Sequence, residues 1–313
     1  MKCIVPDYYS EFACLMGACR HSCCIGWEID IDEESLAFYR SCGGEMGRRL
    51  AENIALGNDG ACFRLGEGER CPFLNGEGLC DLIINLGEDS LCQICADHPR
   101  YRNFFSDREE LGLGLCCEAA GRLILGRRES VRFVVLADDG EDDVPDADEQ
   151  VLLDLREELM QIAQDRSLPM ELRVGRMLEA AGLPSGETEL PAWVDFLLGL
   201  ERLDERWGEV LKAFEGGVPE LADAQRWELP LEQLMVYLLH RHLPAAVEDD
   251  DSAGRVALAV FLWRLVRGLL ACADAPQMED FIELCRLCSS ELEYSDENIA
   301  AILEELHARC PEL

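Results

Sequence analysis

Basic residues are scarce in this chain and lysine is nearly missing: Lys2 and Lys212 are the only two, and Lys plus Arg total 28 against 63 Asp plus Glu. The resulting net charge of -35 repels phosphate backbones, which removes nucleic acid from the expected partners. Long apolar runs are also absent. The most hydrophobic stretch, residues 256–263, stops before Arg264, whereas a membrane span needs about 20 apolar residues. No membrane association is expected. Residues 1–12 hold neither an apolar core nor a small-residue cleavage site, so nothing marks the chain for export and the expected location is cytoplasmic. Nucleotide-binding signatures are missing too. Gly112-Leu113-Gly114 lacks a third glycine, and there is no P-loop and no Gly-x-Ser-x-Gly elbow. Strand and helix patterns do not alternate, which disfavours a doubly wound sheet.

Cysteine is what the chain has in excess. Thirteen of its 17 cysteines lie within residues 1–117, and in a reducing compartment such a cluster points to metal binding or catalysis before disulfides. Between residues 138 and 149 stand eight acids with Gly140 and Pro145 and no base. Like charges packed so densely extend a backbone and mark a boundary. Before it, helical periodicity is confined to residues 32–41, where Asp32 can cap. After it, amphipathic patterns recur over 151–162, 169–181, 191–214, 230–243, 253–273, 278–292 and 296–307. The expected fold is therefore mainly α: a loop-rich, cysteine-rich metal-binding N-terminal domain (1–137), an acidic linker (138–150) and an all-α helical domain (151–313). His240 and His242 stand two apart, on different faces of a helix, and read as exposed polar residues near its end.

Two thiol constellations carry the chemistry. Cys14-x4-Cys19-x3-Cys23-Cys24 gathers four thiols in a short stretch, although adjacent Cys23 and Cys24 point in different directions and do not both suit one ion. The second runs Cys71-Pro72-Phe73-Leu74-x5-Cys80, Cys92-x2-Cys95, His98-Pro99-Arg100 and Cys116-Cys117-Glu118. Cys92 and Cys95 have the knuckle spacing that lets two thiolates face one ion. His98 reads as a hydrogen-bonded neighbour of the site. The candidate ligands are Cys14, Cys19, Cys23, Cys24, Cys71, Cys80, Cys92, Cys95 and Cys116, more than one ordinary site needs. All-thiolate surroundings suit tetrahedral zinc or an iron–sulfur cluster, and spacing does not separate them. The other eight cysteines read as packing residues.

Several segments together resemble the flagellin lysine-N-methylase family, part of a wider set of cysteine-cluster, zinc- or iron-chelating proteins. They are Pro6-Asp7-Tyr8-Tyr9, Cys23-Cys24-x-Gly26-Trp27-x-Ile29-Asp30-Ile31-Asp32, Cys71-Pro72-Phe73-Leu74, Gly78-Leu79-Cys80, Leu86-Gly87-Glu88 and Cys95-x2-His98-Pro99-Arg100. The likeness continues through residues 155–158, 164–169, Val236-Tyr237-x2-His240-Arg241-His242 and Ser295-Asp296-Glu297-Asn298. Cys117 stands where that family has proline.

The resemblance implies transfer of a methyl group from S-adenosylmethionine to lysines of flagellin or another surface protein, dependent on a cysteine-held iron–sulfur cluster, 4Fe-4S before zinc. A lysine amine, with an ordinary pKa near 10.4, has to be desolvated or given a base to act at neutral pH. Candidates for that work are Tyr8, Tyr9, Glu28, Asp30 and Glu118. The alternative is a metal-stabilised binding module without catalysis, its acidic surface docking a basic partner.

Overall fold

In the computed structural model the chain opens on strand β1 (Lys2–Pro6), leaves it to build a separate unit, and rejoins it after Pro99. The structure describes residues 1–57, 60–140, 144–310 and 313. Two compact units result: Ala13–Pro99, and Met1–Phe12 together with Arg100–Leu313.

The unit Ala13–Pro99 holds β2 (Asp30–Ile31), α1 (Glu33–Ser41), α2 (Gly44–Asn53), β3 (Ile54–Leu56), β4 (Ala61–Phe63), α3 (Asp81–Leu86) and α4 (Gln93–Asp97). The three strands form an antiparallel sheet in the order β2-β4-β3. Asp32 caps α1 as its sequence position predicts, accepting from the Ser35 N–H at 2.8 Å. Its other oxygen accepts from the Gln93 N–H at 2.8 Å, so one carboxylate starts both α1 and α4. Ile29, Ile31, Tyr39, Leu50, Phe63 and Phe73 form a small core of their own, which Cys71 and Cys92 join.

In the second unit, β5 (Arg100–Phe104) and β6 (Arg108–Leu113) precede α5 (Glu118–Leu125) and β7 (Phe133–Asp138). The sheet order is β5-β6-β1-β7, with β1 parallel to β6 and antiparallel to β7. These pairings move the expected boundary. Because β1 bonds to strands that follow residue 100, the segment 100–138 shares a unit with the helices and not with the cysteine-rich stretch. Of the expected linker, residues 141–143 lie outside the described residues, while Asp138 ends β7 and Asp146 caps the next helix in a box with Glu149. Residues 1–137 are thus richer in regular structure than the expected loop-rich domain; the strands are too short and polar to declare themselves.

The rest is helical, as the periodicity predicts: α6 (Ala147–Ala163), α7 (Met170–Ala180), α8 (Val194–Gly199), α9 (Glu205–Leu211), α10 (Ala224–His242), α11 (Ala246–Asp249), α12 (Ser252–Cys272), α13 (Met278–Cys288) and α14 (Asp296–Arg309). The fold is mainly α. Helix α10 begins before Pro230 and carries that proline inside it, where the missing N–H leaves one turn unbonded. Every residue from 231 to 240 is buried, so α10 is enclosed on all faces. A π turn, Ser289–Glu293, follows α13.

Candidate functional site

The unit Ala13–Pro99 brings its thiols together through backbone pairing. The Cys71 N–H donates to Cys24 O at 2.9 Å, and Ile25 bridges Arg70, which lays residues 24–26 along 69–71. Gly26 allows the turn, with φ at +94°. Phe73, fully buried, anchors the next turn; Leu74 bridges Cys80, and Asn75 Oδ1 accepts from the Glu77 and Leu79 N–H groups. Cys80 and Cys92 occupy the N-caps of α3 and α4, and Cys95 lies within α4. None of the seventeen cysteines is joined in a disulfide.

Charge interactions link Cys24, Cys71, Cys80, Cys92 and Cys95 into one neighbourhood. The Cys23 thiol hydrogen-bonds Cys24 and lowers it to about 7. Burial pushes Cys71 up to about 11, with Cys24 and Cys80 adding to the rise, and burial also raises Cys80 beside Cys24. A hydrogen bond with the Cys95 thiol holds Cys92 below its ordinary value and drives Cys95 far above. Cys24 is half-buried and Cys23 exposed. Cys14 is exposed and accepts from the Met16 N–H at 3.3 Å; Cys19, half-buried, ends the short 3-10 turn Met16–Ala18. Cys116 belongs to the other unit.

The set fits a thiophilic centre in kind: five sulfurs, two of them with thiolate-favouring partners. It does not fit one in spacing, because among the described residues no group of three or more His, Cys, Asp or Glu side chains is arranged to hold a metal ion. Beside α4 lies an open cleft of about 350 Å³, lined by Asp30, Ile31, Asp32, Gly60, Ala61, Gln93 and Ile94.

A second concentration of titratable groups lies inside the helical unit. His240 and His242 are buried, against the expectation of exposed residues, because α10 has no solvent face at its end. The buried Tyr101 phenol keeps its proton and donates to His240 Nδ1 at 2.8 Å, which leaves the ring proton on Nε2, 3.4 Å from Glu110. Glu110 also receives both guanidinium nitrogens of Arg156 at 2.7 Å. Glu293 is held by the Tyr237 O–H at 2.8 Å, His242 Nε2 at 3.0 Å and Arg241 Nε at 2.9 Å. The Arg241 guanidinium lies over the Tyr101 and Tyr294 rings, 4.7 and 4.8 Å from their centroids. Burial pushes the Cys116 thiol up to about 12, against a hydrogen bond from Tyr294. Spacing alone did not disclose this network; His and Arg clustered beside tyrosines on a helix with no polar face was the available signal.

The expected catalytic groups have separate partners. Tyr8 is buried, its ring under the Arg127 guanidinium at 5.6 Å, and burial raises its phenol far above the usual range. Tyr9 is half-buried beside Arg100, and burial raises it too. Glu118, buried at the start of α5, pairs with Arg122 at 2.7 Å. Glu28 is exposed and accepts from the Cys62 thiol.

No family model matches the chain, and no solved structure does. Curated relatives exist. The chain is 27% identical over 129 residues to proteins named lysine-N-methylase from Salmonella typhimurium (strain LT2) and Salmonella choleraesuis (strain SC-B67), and 28% identical over 129 residues to the flagellar biosynthetic protein FliU of Salmonella muenchen. The match covers 38% of this chain, 31% of each lysine-N-methylase and 75% of FliU. The chain therefore spans under a third of the lysine-N-methylases it matches.

Proposed function

We propose that this chain is a protein-lysine N-methyltransferase that uses S-adenosylmethionine and acts on flagellin or another lysine-bearing surface protein. The names of its relatives supply the reaction class. The observation that carries the reading is the shared neighbourhood of five reduced thiols, Cys24, Cys71, Cys80, Cys92 and Cys95. These residues would hold an iron–sulfur cluster, or zinc in its stead, with Cys14, Cys19 and Cys23 of the same unit as further candidates. A centre held by these thiols would supply positive charge for the polar end of the methyl donor.

The chain's own groups then have to seat the amine. In the cleft beside α4, both Asp32 oxygens accept backbone N–H groups, which leaves Asp30 as the carboxylate to orient a substrate ammonium. Ile31, Ala61 and Ile94 would line the methylene stem, and their apolar contact favours the neutral amine. With its proton lost to water, that nitrogen attacks the sulfonium methyl; an N–C bond forms, the S–C bond breaks with its electron pair staying on sulfur, and the product is the methylated ammonium.

The separate partners of Tyr8, Tyr9, Glu28 and Glu118 favour a second reading, a metal-stabilised binding module without catalysis. One experiment divides them. Protein isolated without oxygen is expected to be brown, to bind S-adenosylmethionine and to add methyl increments to flagellin by mass, with Cys95→Ser losing colour and activity together. A colourless, metal-loaded protein that leaves flagellin unchanged supports the second reading.

A further inference from the structure

Strand β7 ends its sheet: in the order β5-β6-β1-β7 its outer edge has no neighbour among the described residues. The hydrogen bond from the Asp7 N–H to Arg132 O, 2.8 Å, fixes the phase of the ladder with β1. Bonded and non-bonded pairs alternate between antiparallel strands, so Val5–Val134 is a bonded pair. Phe133 and Val135, opposite Pro6 and Ile4, then turn their own N–H and C=O groups outward. Pro6 has no N–H to give, in keeping with that phase.

Phe133 is half-buried against His240, but beyond it the edge is exposed. Side chains alternate along a strand, so a covered sheet shields every second one. Here Val134 and Val135, neighbours on opposite faces, are 44% and 54% exposed, and Leu136, where the register with β1 shifts, is 51% exposed. An exposed apolar edge is a template for another strand. Its charge selects which. Asp138 and Asp139 follow directly, Asp139 also meeting the Met1 amino group, and two copies that each carry -35 repel one another.

We propose that β7 is the docking edge for an extended, lysine-rich segment of a partner protein, which joins the sheet as an added strand. Its backbone bonds to Phe133 and Val135, its apolar side chains cover Val134 and Leu136, and its basic ones approach Asp138 and Asp139. The identity of that partner as a methylation substrate rests on the function proposed above; the docking itself does not.

The test reads binding by fluorescence anisotropy on the whole chain with no methyl donor present. The probes are labelled peptides of about eight residues, an ordinary strand length, in which valine alternates with lysine, arginine or glutamate. The lysine and arginine peptides are expected to bind and the glutamate peptide not to. Val135→Pro removes an outward N–H without breaking a bond to β1, and is expected to weaken binding at least about tenfold. If circular dichroism shows that variant unfolded, Leu136→Arg repels the basic probe from an exposed position and is expected to do the same. Equal binding of the glutamate peptide, or unchanged affinity in a folded variant, overturns the proposal. So does a dimer in sedimentation that either substitution abolishes, since the occupant is then a second copy. Methyl transfer failing while the arginine peptide binds would overturn only the function proposed above.

Discussion

Glu110, His240 and His242 show how strongly the interior sets the charge of a single residue. Burial works against ionised Glu110, but the bidentate Arg156 and the facing His240 hold its carboxyl well below the usual carboxylate range. Its stabilising contribution is therefore present above the unfolded value of about 4.3 and lost as pH falls below it. The two histidines behave differently. Burial keeps both below their ordinary value of about 6.5, so the unfolded chain takes up protons first and stability starts to drop below that pH. Urea midpoints are expected to decline in two stages, one that sets in as pH falls through about 6.5 and one below about pH 4.3. Replacing both His240 and His242 by Gln should remove the first stage and leave the second. A first stage that survives in that variant would assign it to other groups.

At the level of the element, α10 concentrates the consequences. Glu232 on this helix is fully buried and pairs with Arg173, also buried, at 2.7 Å and with the partly exposed Arg166 at 2.8 Å. Glu232→Leu leaves Arg173 only the longer contact to Glu228, at 3.6 Å, and is expected to cost about 3 kcal/mol, whereas Arg166→Ala, at a solvent-screened position, should cost about 1 kcal/mol or less. Equal shifts in urea denaturation would refute that ordering. The same helix marks the limit of what its sequence discloses. Its period is plain, yet a helix enclosed on all sides has no polar stripe to announce which polar residues are inside, so His240 and His242 read as surface groups. The cap at Asp32 was legible: it accepts the Ser35 N–H that its position before α1 implies. Strands β5 and β6 were not, because Arg100, Arg102, Arg108 and Glu109 interrupt any apolar alternation. Among the thiols, the pairing of Cys92 with Cys95 follows from spacing. Their company with Cys24 and Cys71 depends on a backbone contact between distant segments, which no local pattern encodes.

Across the whole molecule the dominant quantity is charge. A net -35 makes the native state repel itself, and salt screens that repulsion over roughly 10 Å at 0.1 M. The melting temperature is expected to rise between about 10 and 150 mM sodium chloride, with the change read by scanning calorimetry. A melting temperature that falls over this range would mean that attractive pairs such as Glu110–Arg156 outweigh the general repulsion.

The position of β1 sets an order on synthesis. This strand leaves the ribosome before its partners β6 and β7, which begin at Arg108 and Phe133, after the whole unit Ala13–Pro99 has emerged. Strand β1 must wait for them while the inserted unit acquires its own core, and closure of the sheet becomes a late step. Truncated nascent chains that stop before Arg100 should therefore protect the cysteine-rich unit from protease while leaving residues 2–6 open to cleavage.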